Sequence, residues 1–278
     1  MNSIHLATVL SQPGPQQLTV ERNAYLRFPN GTAVHFVDPV SCDELPGATI
    51  ITQNPPDSSP PVFGGTVTIA FDRNLPALSP DAEMVFAGPS TRGAGSSIEN
   101  NVVGEVPFGR CIWIGGSAGI TIQGNWIGHT SNGGIEVFGD TNTRAYPVPP
   151  AHDILIRDNL VYGSLGPMAS GSGTQIALAA ISVVSTNSTN AFASSYANTN
   201  ISIQNNFIFD SGRSGIWVGE LNGGAIRDNF IIGYDKHPEL PLFGVSPAQG
   251  AQLLQDFTQP VVIDYSQNVS VFDNLSVK

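Results

Sequence analysis

The stretch ISIQNNFIFDSGRSGIWVGE, residues 201–220, holds the two phrases on which the fold turns. The first is I-x-x-N-apolar, from Ile203 to Phe207, with an amide residue just before the Asn. The second is G-I-x-V, from Gly215 to Val218. Each alternates apolar and other residues over a few positions, the period of a short strand with one face turned inward.

Both phrases recur along the chain. The first appears as SSIENNVV (96–103), ITIQGNWI (120–127), ILIRDNLV (154–161), GAIRDNFI (224–231) and VSVFDNLS (269–276). Its Asn stands at 101, 125, 159, 206, 229 and 274, a unit of about 23 residues with insertions. The second phrase returns at Ile112–Ile114 and Ile135–Val137, and is displaced by longer loops to Ile181–Val183 and Val261–Ile263. Two such strands per unit cannot bury themselves alone. Stacked coils can, because each inward Ile or Val meets its counterpart about 4.8 Å above and below. The pattern predicts one ladder through Ile112, Ile135, Ile181 and Ile216 and another through Ile122, Ile156, Ile203 and Ile226. The recurring Asn is expected at a coil corner, tolerating left-handed geometry and stacking its amide on its equivalents.

This repeat resembles the right-handed parallel β-helix of polysaccharide lyases, polygalacturonases and related glycosidases, over about residues 92–278. More narrowly, IENNVVGEVPFGRCIWIGG, then ITIQGNWIGHTSNGGIEVFGDT, then HDILIRDNLVYGS is similar to the later coils of α-1,3-galactosidase-type β-helix glycosidases. Cys111 follows Arg110 where that pattern has a Gly. The resemblance implies a carbohydrate-active protein. The polygalacturonase carboxylate and Gly-His-Gly signatures are missing, as is a lyase-type basic pair beside a Ca²⁺ cluster, which argues against pectin chemistry.

Residues 1–90 do not repeat. Runs such as NAYLRF, AVHFVDP, ATIITQ, GTVTIAF and AEMVFAG between turn-rich stretches predict a small β-barrel or sandwich, with the β-helix over 91–278 as six or more coils. In the resembling glycosidases such a module has coils on both sides, so a fragment or subunit is one expectation here. A second copy or a partner chain is then expected to cover the open end of the helix.

Composition agrees with an all-β chain. Only 12% of residues are charged, while Gly (30) and Pro (21) are abundant, which is unlike the surface of a helical bundle. The net charge of -11 disfavours nucleic acid and anionic membranes as partners. No apolar run is long enough to span a bilayer. Two Cys and five scattered His imply no disulfide scaffold, no metal site and no cofactor. Sequons at Asn30, Asn187, Asn200, Asn268 and Asn274 hint at secretion, though a chain this rich in Asn, Ser and Thr produces several by chance.

Chemistry is expected on the row that projects outward from the second phrase: Trp113, Glu136, Ser182, Trp217 and Val262. Outward Trp113 and Trp217 would offer flat platforms for sugar rings, unless long loops cover them. Glu136 and Asp140, four residues apart on a strand ending in Gly-Asp, are the candidate catalytic acid and base, near the spacing an inverting glycosidase needs. Arg110 lies one strand below, Arg144 on the loop after Asp140, and Glu220 just past Trp217; these are the candidate substrate contacts. The parallel row Glu99, Gln123, Arg157, Gln204, Arg227 and Phe272 reads as a solvated, cross-strand-paired surface. The sequence thus points to a glycosidase, or part of one, acting on a neutral or galactose-type glycan. The alternative is a β-helix that binds glycans or partners without turnover.

Overall fold

A computed structural model describes residues 5–22, 29–38, 44–56, 65–85, 93–106, 109–140, 150–165, 179–186, 198–237 and 258–278. The N-terminal part is a closed antiparallel barrel of β1 (His5–Gly14), β2 (Gln17–Arg22), β3 (Ala33–Val37), β4 (Glu44–Asn54), β5 (Thr66–Phe71) and β6 (Glu83–Val85), in the order β1-β2-β5-β4-β3-β6. Pairing of β1 with both β2 and β6 removes the free edges. Alternation sends Leu18, Val20, Phe36, Ile50, Ile69, Phe71 and Met84 inside, with the Phe36 ring edge-on to Phe71 at 5.8 Å.

The repeats form a parallel β-helix. The first coil is β7 (Ser97–Glu99), β8 (Val102–Val103) and β9 (Ile112–Gly115), and the second β10 (Thr121–Gln123), β11 (Trp126–Gly128) and β12 (Ile135–Asp140). The third is β13 (Leu155–Arg157), β14 (Leu160–Tyr162) and β15 (Ala179–Thr186). The fourth is β16 (Asn198–Gln204), β17 (Phe207–Phe209) and β18 (Ser214–Gly219). Then come β19 (Leu221–Arg227), β20 (Phe230–Ile232) and β21 (Val261–Asp264), followed by β22 (Gln267–Phe272) and β23 (Leu275–Val277). The repeat therefore carries three strands per coil where two were expected. The apolar residues after each Asn turn the corner into a strand of their own. The first sheet contains β7, β10, β13, β16, β19 and β22, the second β8, β11, β14, β17, β20 and β23, and the third β9, β12, β15, β18 and β21.

The register matches the expected ladders. Ile112, Ile135, Ile181 and Ile216 align in the third sheet, and Ile122, Ile156, Ile203 and Ile226 in the first. All eight are buried in one continuous core. The Gly that opens the G-I-x-V phrase has a steric cause. A Cβ on Gly134 would lie 2.5 Å from Val161, and one on Gly215 would lie 2.5 Å from Ile231.

The Asn ladder runs through all six coils. Nδ2 of Asn159 donates to Oδ1 of Asn206 at 3.0 Å and to the Ile122 carbonyl at 3.0 Å. Oδ1 of Asn206 also accepts from the Asn159 backbone N–H at 3.0 Å. The same linkage joins Asn101 to Asn125, Asn125 to Asn159, Asn206 to Asn229 and Asn229 to Asn274. The left-handed residue is the one before each Asn, contrary to expectation. Asn100, Gly124, Asp158, Asn205, Asp228 and Asp273 have φ between 54° and 63°. That residue turns the chain with its side chain outside, which leaves the Asn free to point inward and satisfy buried backbone.

Candidate functional site

The outer face of the third sheet is built from residues alternating with the inward ladder. Trp113, Glu136, Ser182, Trp217 and Val262 align across five coils, in the register expected. Their environment differs from expectation. Glu136, Ser182 and Trp217 have no exposed surface, so pointing away from the core does not place them in solvent. The ring of Trp217, one of the two expected sugar platforms, is covered in this structure. Its indole Nε1 donates to Oδ2 of Asp264, one coil on, at 3.1 Å. Trp113 remains half-buried, and its buried indole Nε1 has no hydrogen-bond partner among the described residues.

Arg110 gathers this region. Its Nε forms an ion pair with Oε2 of Glu136, and its side chain keeps 24% of its surface in solvent. Its guanidinium carbon lies 5.8 Å from the Trp113 ring centre and 5.9 Å from that of Phe138, two rings 6.5 Å apart. Phe138 was missed in the sequence, although it stands two residues past Glu136 and so shares its face. Burial pushes the Glu136 carboxyl up to about 7, against the opposing pull of Arg110's charge and hydrogen bond. This carboxyl is thus poised to hold or release a proton near neutrality.

The other candidates are placed less centrally. β12 continues unbroken through Asp140, which pairs with Thr186. Four strand residues put the Cα atoms of Glu136 and Asp140 about 13 Å apart along β12. Arg144 lies outside the described residues. Glu220 stands at the corner after β18 in left-handed geometry, φ 64°, fully buried. Neither of its carboxylate oxygens has a hydrogen-bond partner among the described residues, and burial pushes its carboxyl up to about 9. In the polar row on the first sheet, Arg157 Nε donates across the strands to Gln123 at 2.9 Å, while Arg227 pairs with Asp228 beside it. Among the described residues no three His, Cys, Asp or Glu side chains come together to hold a metal.

No family model matches this chain, and no curated protein matches it. Among solved structures it is similar to the tailspike gp61 of Pseudomonas phage phi297, at 12% identity and a TM-score of 0.30. The match covers 83% of this chain and 46% of the tailspike chain, so the chain spans about half of that protein's length. At this level the likeness carries no argument about function.

Proposed function

We propose that this chain is a carbohydrate-active β-helix protein that hydrolyses a neutral or galactose-type glycan, alone or as part of a larger enzyme. The observation that carries this reading is the Arg110–Glu136 pair, a buried carboxyl held near neutral protonation beside two partly accessible groups. Glu136 is the general acid, since a carboxyl at about 7 retains its proton at the pH where it must donate it. Trp113 is the platform for a sugar ring, and Arg110, which covers Glu136, swings to a substrate hydroxyl as the ring seats. Asp140 is the second carboxylate, with Arg144 and Glu220 completing the contacts.

The second reading is a glycan- or partner-binding β-helix without turnover. It is favoured by the complete burial of Glu136, which leaves only Arg110 and Trp113 of this cluster to meet a ligand. One experiment separates the two. Wild type, Glu136→Gln and Trp113→Ala are screened on neutral and galactose-containing oligosaccharides for both binding and release of reducing ends. Hydrolysis lost in Glu136→Gln with binding kept supports the enzyme. Binding lost in Trp113→Ala, with no turnover in wild type, supports the binding module. Neither binding nor hydrolysis by wild type overturns both.

A further inference from the structure

The outer face of the second sheet is apolar along its whole length. Val102, Trp126, Leu160, Phe207, Phe230 and Leu275 align in one row, and Tyr162, Phe209, Ile232 and Val277 in a second beside it. Of these, Val102 is 76% exposed, Trp126 55%, Phe207 49% and Leu275 51%. Neither row contains a charged residue, on a chain carrying 22 acidic and 11 basic side chains. Five intervals of about 4.8 Å make the ridge roughly 24 Å long. With the flanking corners it covers on the order of 500 Å², the size of the largest apolar patches on monomers and of the core of a standard interface.

We infer that this face packs against the same face of a second copy of the chain. Three features favour that occupant over a strongly charged partner. Phe207 stacks on Phe230 at 5.5 Å and 22° and on Phe209 at 6.3 Å and 16°. These near-parallel rings join Trp126 and Leu275 in one continuous apolar ridge, a surface that an equally apolar ridge can cover. The rim at the corner from the first sheet carries both signs, with Arg157 3.7 Å from Asp158 and Arg227 2.6 Å from Asp228. A two-fold-related copy brings the same mixed row opposite, so each Asp meets an Arg as readily as another Asp. The uncharged ridge is also the surface on which two chains of net charge -11 approach with least repulsion.

The test is sedimentation equilibrium on the full chain up to about 200 µM, well above the micromolar dissociation constant of a weak pair. The expected result is a concentration-dependent shift from one chain mass to two. The double variant Trp126→Asp/Phe207→Asp changes outward side chains only, and is expected to keep the β circular dichroism spectrum while weakening association by roughly 30-fold or more. Phe207→Ser alone is measured beside it, so that a folding failure of the double variant leaves a milder probe with a smaller shift in the same direction. The inference is overturned by a wild type that stays at one chain mass throughout, or by a folded variant that associates as wild type does. It is also overturned if wild type binds a glycan as a single chain and Phe207→Ser abolishes that binding.

Discussion

Arg110, in the turn before β9, and Glu136, on β12 of the next coil, form an ion pair in which the guanidinium reaches solvent and the carboxyl does not. The asymmetry sets the proton affinity of Glu136. Burial raises it to about 7, and Arg110 is what keeps it from rising further. Arg110→Gln is expected to move the Glu136 titration upward, measured by carboxyl NMR or infrared titration against Glu136→Gln as the blank. A titration unchanged in Arg110→Gln would remove the pair from any account of this site.

Stability is expected to fall as pH rises. Glu136 and Glu220 titrate at about 7 and about 9 in the folded chain, against an ordinary 4.5. Between 4.5 and those values the native state holds protons that the unfolded state has lost, so their contribution is complete below 4.5 and lost on going up. Each such proton gives a slope of about 1.4 kcal/mol per pH unit while it lasts. Glu136→Gln should flatten the melting-temperature profile from about 4.5 to 7, and Glu220→Gln should flatten it up to about 9. Profiles of both variants parallel to wild type would contradict the burial of these carboxyls.

Breaking the Asn ladder at its middle should cost more than at its end. Asn206 accepts from the backbone and side chain of Asn159 and donates to Asn229 and the Ile156 carbonyl. Asn206→Ala strands several buried polar groups, at about 1 to 3 kcal/mol each before relaxation, for a total near 3 kcal/mol or more. Asn274→Ala, in the half-exposed last coil, removes fewer buried bonds and should cost about 1 kcal/mol. Urea unfolding measures both, and equal losses would mean that the ladder does not act as a buried network.

The period and register of the coils were legible because stacking imposes them on the sequence. Ile135 must meet Ile112 and Ile181, and that requirement writes the spacing of the repeat. The third strand per coil was hidden because β11, β14 and β17 are three residues long, too short to show a period, and abut the conspicuous Asn. Glu136 and Trp217 were correctly placed facing outward, yet their burial was not readable. It depends on what covers the face across coils, which neither alternation nor spacing encodes. The partner choice of Arg110 had the same character, being a contact between residues 26 positions apart in sequence.

Trp217 gives the sharpest separation between pointing outward and being exposed. An exposed sugar platform could be truncated with little loss of stability, whereas Trp217 has no exposed surface and donates to Asp264. Trp217→Ala is therefore expected to destabilise the chain by about 3 to 5 kcal/mol, the range for emptying a large buried aromatic site. Trp217→Phe fills most of that volume and forfeits the indole hydrogen bond, which should cost about 1 to 2 kcal/mol. Trp113→Ala, at a half-buried position, should cost less than Trp217→Ala in stability and more in ligand affinity. Calorimetric melts together with glycan titration of the three variants check this ordering. A Trp217→Ala protein that melts with wild type but no longer binds glycan would return Trp217 to the ligand-facing surface.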